Sequence, residues 1–95
     1  MTNTCYNQEA FEKAAECFKV LAHPGRLHML ALLLQGRYTV KALAAECQCP
    51  QNVASEQLRL MQRYGMLKSE REGRCVYYLI AEPCLQKVME CVLKK

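Results

Sequence analysis

At Gly65 the hydrophobic period of this chain changes from that of a helix to that of a strand, and at Pro83 it changes back. That switch limits the fold more than any composition figure does. Upstream, Phe11, Ala14, Ala15, Phe18, Leu21 and Ala22 recur at helical spacing, and Pro24 pushes the residue before it out of the helical region, so a first helix is expected to end near His23. Pro24 suits the first turn of a second helix with Leu27, Leu30, Ala31 and Leu34 on one face and Gly36 as its stop. Thr39 is the expected N-cap of a short third helix carrying Val40, Leu43, Ala44 and Cys47. A fourth helix, about 51 to 64, places Ala54, Leu58 and Met61 together and ends at Gly65. Then Leu67, Ser69 and Arg71 alternate, Glu72–Gly73 offers a tight turn, and Val76, Tyr78 and Ile80 alternate again, a hairpin pattern. Pro83 opens a last helix with Leu85, Val88, Met89 and Val92 along one side.

The expectation is therefore a mostly α chain with one small β-hairpin: four helices, a wing, and a C-terminal helix, all in a single domain over 1–95. A domain of this size stabilises itself only modestly, so a homodimer is expected. No apolar run approaches the about 18 residues of a membrane helix, and no export pattern opens the chain, so a soluble, cytoplasmic protein without a membrane partner is expected. Seven cysteines are an odd count, and in that setting they read as reduced thiols rather than a disulfide framework.

Charge points to a partner. Lys and Arg exceed Asp and Glu by 13 to 9, but the first twenty residues hold Lys13 and Lys19 against Glu9, Glu12 and Glu16. The excess lies downstream, where Arg59, Arg63, Lys68, Arg71 and Arg74 face only Glu70 and Glu72. A basic stretch of this kind favours a polyanion, although a solvated basic face has the same composition.

Two short helices joined by a tight turn, the second with polar outward residues and followed by a basic hairpin, outline a winged helix-turn-helix. Three blocks carry a closer likeness: "LAHPGRLHMLALLLQG", "QNVASEQLRLMQRYGML" and "SEREGRCVYYLI". In order and without gaps over about residues 14 to 82, they resemble the signature, recognition helix and wing of the ArsR/SmtB repressors. The resemblance implies a homodimeric repressor that binds double-stranded DNA at an inverted repeat, pairs its first and last helices across a two-fold axis, and leaves its operator when an inducer arrives. A metal ion or an oxidant of thiols is the inducer it implies.

A helix in the major groove reads base edges with amides, hydroxyls and Arg and takes its position from phosphates. The candidate readers are Gln51, Asn52 and Ser55, with Glu56 and Arg59 one turn on. Glu56 can only accept a hydrogen bond, and it stands where the resembled family often has a basic or amide side chain. On the wing, Arg71 and Arg74 flank the Glu72–Gly73 turn and Lys68 lies on the strand leading in, a placement suited to phosphate or minor-groove contact. Tyr77 and Tyr78 read as strand packing, with one of the two buried, and His28 as a solvated surface residue.

The cysteines divide in two. Cys47 and Cys49 fall where the resembled family has apolar residues around its helix-helix turn, and a free cysteine behaves as a small buried hydrophobe, so they rank last as a metal or redox site. The cysteine pair of some relatives would fall at Thr39 and Lys41, and the acid-x-His of the zinc-type site at Glu82, Pro83 and Cys84, so neither metal site carries over. Cys17, Cys84 and Cys91 remain as candidates for a thiol switch or a thiolate-bound soft metal ion, with Cys5 nearer the start. Cys17 shares a face with Ala14, Phe18 and Leu21, which in the resembled dimer lies near the seam of first and last helices.

Two other readings stay open. A small thiol-dependent redox or metal-binding protein without DNA binding would be expected to show Cys-x-x-Cys or a His-rich motif, yet His23 and His28 are the only histidines. A winged helix used for protein-protein contact would not need the Arg-rich wing. No catalytic constellation stands out, so an enzyme is not expected.

Overall fold

The structure, a computed structural model, describes residues 6–94. Five helices and one hairpin follow in the order α1 (Gln8–Leu21), α2 (Pro24–Gln35), α3 (Val40–Glu46), α4 (Gln51–Arg63), β1 (Leu67–Glu72), β2 (Cys75–Ile80) and α5 (Cys84–Leu93).

Local chemistry sets most of these ends. Asn7 Oδ1 accepts from the Ala10 amide at 2.9 Å to start α1. His23, expected near the end of that helix, instead caps the next one: its Nδ1 accepts from the Gly25 amide at 3.1 Å, with Pro24 in the first turn of α2. Helix α1 stops at Leu21, two residues earlier than expected. Thr39 Oγ1 accepts from the Ala42 amide at 3.1 Å and opens α3. Between α3 and α4, Gln48 takes φ 54° while the Cys49 amide reaches back to the Ala44 carbonyl at 3.0 Å, a closing turn that ends α3. Gly65, at φ 78°, ends α4 in the same way, with the Met66 amide on the Met61 carbonyl at 3.0 Å. Its positive φ is one that a side chain disfavours.

The hairpin pairs Leu67 with Ile80 and Glu72 with Cys75. Its two-residue turn is thus Gly73–Arg74, one place later than the expected Glu72–Gly73, because only Gly73 takes the positive φ of 60° without a Cβ penalty. Arg74 consequently sits in the tip and does not flank it.

Met29, Leu30 and Leu33 from α2, Leu43 and Ala44 from α3, Ala54, Leu58 and Met61 from α4, and Leu67 and Tyr78 from the wing make the core, closed by Leu85 and Met89 of α5 and by Val20. The outer helices depart from expectation. On α1 the stripe of Phe11, Ala14, Ala15 and Phe18 faces outward, with Phe11 57% and Phe18 64% exposed, while Val20 is the residue buried. On α5, Leu85 and Met89 are buried but Val92 is 59% exposed. Both helices keep part of their apolar surface outside the core of one chain.

Candidate nucleic-acid interface

Helix α4 is held from behind so that its polar side stays outside. Ala54, Leu58 and Met61 are wholly buried. Arg26 of α2 reaches the same helix: its Nε donates to Gln57 Oε1, and its Nη1 donates to the Val20 carbonyl at 3.1 Å, which ties α4 to the end of α1. At the far end Gln62 Nε2 lies 3.3 Å from Ser69 Oγ, joining α4 to the wing.

With the buried face fixed, helical geometry sorts the remaining residues. Asn52, Glu56, Arg59 and Arg63 form the outward stripe, all exposed. Gln51 and Ser55 lie on the flank toward the hairpin. Together with Asn52 they line an open groove of about 540 Å³ whose other walls are Thr39, Val40 and Lys41 of α3 and Arg74, Cys75 and Val76 of the wing. Four of the expected contact residues, Gln51, Asn52, Ser55 and Arg74, therefore share one groove. Glu56 and Arg59 stand outside it on the helix crest, and Pro50 caps α4 with no side-chain bond.

The cations of the first wing strand do not share one hairpin face. Arg71 pairs with Val76 and shares the hairpin face of Ser69 and Tyr78, which turns toward α4. Lys68 pairs with Leu79 on the opposite face, beside Glu70 and Glu72. Tyr78 is buried and Tyr77 half-buried, in line with strand packing.

Lys41 was not among the expected contacts, although it lines the same groove. Its sequence neighbours form a short helix with no basic run, so only folding against α4 and the wing brings it there. Arg37 is a second omission. Its guanidinium holds Glu72, lies 3.7 Å from Glu70 and stacks on Tyr77. The hydrogen bond to Glu72 is the main reason that the arginine is held above its ordinary pKa and the Glu72 carboxyl below its own.

Among the thiols, Cys47 and Cys49 pack against the core around Gln48. Burial first, then the neighbouring Cys49 and Glu46, push the Cys47 thiol up, which keeps it protonated and weakly nucleophilic. Cys17 is half-buried and turns away from the exposed Phe11–Phe18 stripe, into a groove shared with Glu9, Glu12, Glu16, Arg63 and Tyr64 at the end of α4. The expected common face with Ala14 and Phe18 is thus corrected: Cys17 and Leu21 pack inward where those two face out. Cys84 and Cys91 are exposed on α5, and Cys75 is exposed on the wing. Cys5 lies outside the described residues. No group of three or more His, Cys, Asp or Glu able to hold a metal ion occurs among the described residues. Likewise, no helix among them is long and apolar enough to cross a membrane.

A buried helix-turn-helix with a polar second helix and a basic hairpin tip on one groove defines the winged helix-turn-helix class of DNA-binding domains. No family model matches the chain. Individual relatives do. An uncharacterised HTH-type transcriptional regulator of Methanocaldococcus jannaschii is 33% identical over 85 residues, 88% of this chain and 96% of that one. A transcriptional repressor SmtB homolog of Synechocystis sp. is 35% identical over 71 residues, 75% of this chain and 54% of its own length. The homodimeric winged helix-turn-helix DNA-binding domain of a possible ArsR-family transcriptional regulator from Mycobacterium bovis superposes with a TM-score of 0.82 at 30% identity, covering 98% of this chain and 87% of that one. The chain belongs to the ArsR/SmtB family of transcriptional regulators.

Proposed function

We propose that this chain is a homodimeric repressor that grips an inverted-repeat operator through two copies of α4 and is released when thiols near its outer helices react. The observation that carries the DNA-binding half is the shared groove of Gln51, Asn52, Ser55 and Arg74. Amides and a hydroxyl at the start of a helix can read base edges, Gln and Asn best at adenine, while a cation on an adjoining hairpin tip meets the backbone. Arg59 and Arg71 add phosphate contacts on either side, Glu56 accepts from a base donor, and Lys68 contributes from the outer wing face.

The dimer is supported by the apolar surface that one chain leaves open: Phe11 and Phe18 on α1, Val92 and Leu93 on α5. Exposed apolar stripes on the two terminal helices suit a second copy, and the similar Mycobacterium bovis domain is homodimeric. The two recognition helices then lie about one DNA turn, roughly 34 Å, apart.

For release, the reading rests on Cys84 and Cys91, exposed on α5, and on Cys17, half-buried on α1. Seven residues of α-helix span about 10.5 Å, beyond the roughly 7 Å between α-carbons that a disulfide bridges, so Cys84 and Cys91 cannot join within one helix. Each must pair with a thiol on another helix or copy, or take up a cap. In pairing, two thiols give two electrons and two protons to an oxidant and form one S–S bond, and the drawn-in helix shifts the recognition helices. The same thiols are also candidates for a thiolate-bound soft metal ion, since thiolates favour such ions.

The test is to measure binding of the purified protein to DNA upstream of its own gene and to random DNA at about 0.15 M salt, then to add an oxidant, a persulfide, arsenite, zinc or cadmium separately. Preference for the upstream duplex, lost with a thiol-directed agent and with a matching fall in free thiols, is the expected result. Equal affinity for both duplexes would refute the repressor reading. Release that survives replacement of Cys17, Cys84 and Cys91 by Ser, but not of Cys47 and Cys49, would move the switch to the turn.

A further inference from the structure

The wing carries two carboxylates among its cations, and both turn to one guanidinium. Arg37, in the loop between α2 and α3, bonds through Nη2 to Glu72 Oε2 and lies 3.7 Å from Glu70 Oε1. Its Cζ stands 3.9 Å from the centroid of the Tyr77 ring. Strand register places Glu70 opposite Tyr77 and Glu72 opposite Cys75, so the three side chains that Arg37 touches share one hairpin face. Two residues along the same loop, Thr39, which caps α3, forms a β-bridge with Tyr77. The hairpin is thereby fastened at its Tyr77 face to the segment that opens the helix-turn-helix.

These ion pairs are exposed, and each adds little to stability in water. Their larger effect concerns a polyanion. Glu70 and Glu72 bracket Arg71 along β1, and Glu72 is separated from Arg74 only by Gly73 of the turn, so the two carboxylates and the two cations belong to the same end of the hairpin and act together on an approaching polyanion. Left bare, they would cancel the attraction that those two cations exert on phosphate.

We propose that Arg37 is a positioning residue for DNA binding: it covers the wing carboxylates and pins the hairpin through Tyr77, so that Arg71 and Arg74 present an uncancelled positive edge. The proposal rests on the DNA-binding reading above. Arg37 acts through Glu70, Glu72 and Tyr77, and touches no base.

Four proteins decide it: the unaltered chain, Arg37→Ala, the double variant Glu70→Gln/Glu72→Gln, and all three changes together. Arg37→Ala should weaken operator and random duplex alike by about tenfold, since it lowers the wing's net charge without touching a reader. Removing the carboxylates as well should restore affinity to within about twofold of the unaltered protein, and removing them alone should tighten binding to both duplexes. A merely structural arginine would not be rescued in this way. Without DNA, the Arg37 side-chain protons should show an upfield NMR shift from the Tyr77 ring that disappears in Tyr77→Leu. Unchanged binding by Arg37→Ala, failure of the triple variant to recover, or absence of the ring shift would each overturn the proposal while leaving the repressor reading intact. If the unaltered chain binds no DNA, both fall together.

Discussion

Arg26 of α2 donates to both the Val20 carbonyl at the end of α1 and the Gln57 amide oxygen in the middle of α4. One guanidinium thus links the outer helix, whose apolar stripe is exposed, to the helix that carries the candidate base readers. Its partners are half-buried or main-chain, so water replaces these bonds poorly. Arg26→Ala should lower unfolding free energy by about 1.5–3 kcal/mol in a urea titration, the range for hydrogen bonds to a charged group. Arg26→Lys, lacking the fork that serves both acceptors, should recover only part of that loss.

Leu58 lies at the centre of the packed face of α4 and is wholly buried. Leu58→Ala leaves a cavity among tightly packed neighbours and should cost about 2–5 kcal/mol. Loss of the same size on changing Arg59, one residue on and exposed, would show that the α4 orientation is wrong.

The groove predicts how DNA contacts sort. Asn52→Ala or Gln51→Ala should lose about 1–3 kcal/mol on the operator and little on random DNA. Arg74→Ala should weaken both duplexes similarly and lower the salt slope by about one. Equal losses on both duplexes from Asn52→Ala would remove that residue from the readers.

The Arg37–Glu72 pair gives a pH dependence with a fixed sign. Its hydrogen bond to Arg37 holds the Glu72 carboxyl below the ordinary 4.5, so its contribution is present above that value and lost as pH falls through the lowered pKa. The wing should loosen on acidification below about pH 4.5, read by amide exchange on β1 and β2, and Glu72→Gln should abolish that dependence.

Thiol reactivity should rank by burial. Cys75, Cys84 and Cys91 are exposed, whereas Cys47 is partly buried with its thiol pushed up, so a maleimide at neutral pH should label the first three well before Cys47. Operator DNA should slow labelling of Cys75, which lines the groove of Gln51, Asn52, Ser55 and Arg74, and leave Cys84 unaffected. No protection at Cys75 would place the DNA elsewhere.

What the sequence determined by itself lies in signals that act over a few residues. Pro24, Gly36, Thr39 and Gly65 mark helix ends because caps and backbone preference need only near neighbours, and the period of two from Leu67 to Ile80 marks the hairpin. The polar side of α4 was legible for the same reason, since its buried residues recur along one helix. What only the tertiary structure decided involves partners far apart in the chain. Arg26 and Gln57 are 31 residues apart, and Arg37 and Glu72 are 35 apart, with no local pattern joining them. Helix α1 has two candidate apolar faces, and packing against α2 chose the one with Val20 and Cys17, leaving Phe11 and Phe18 outside. The meeting of Gln51, Asn52, Ser55, Lys41 and Arg74 on one groove likewise follows from how α3, α4 and the wing pack, because side-chain spacing along a helix or strand fixes a face but not what that face meets.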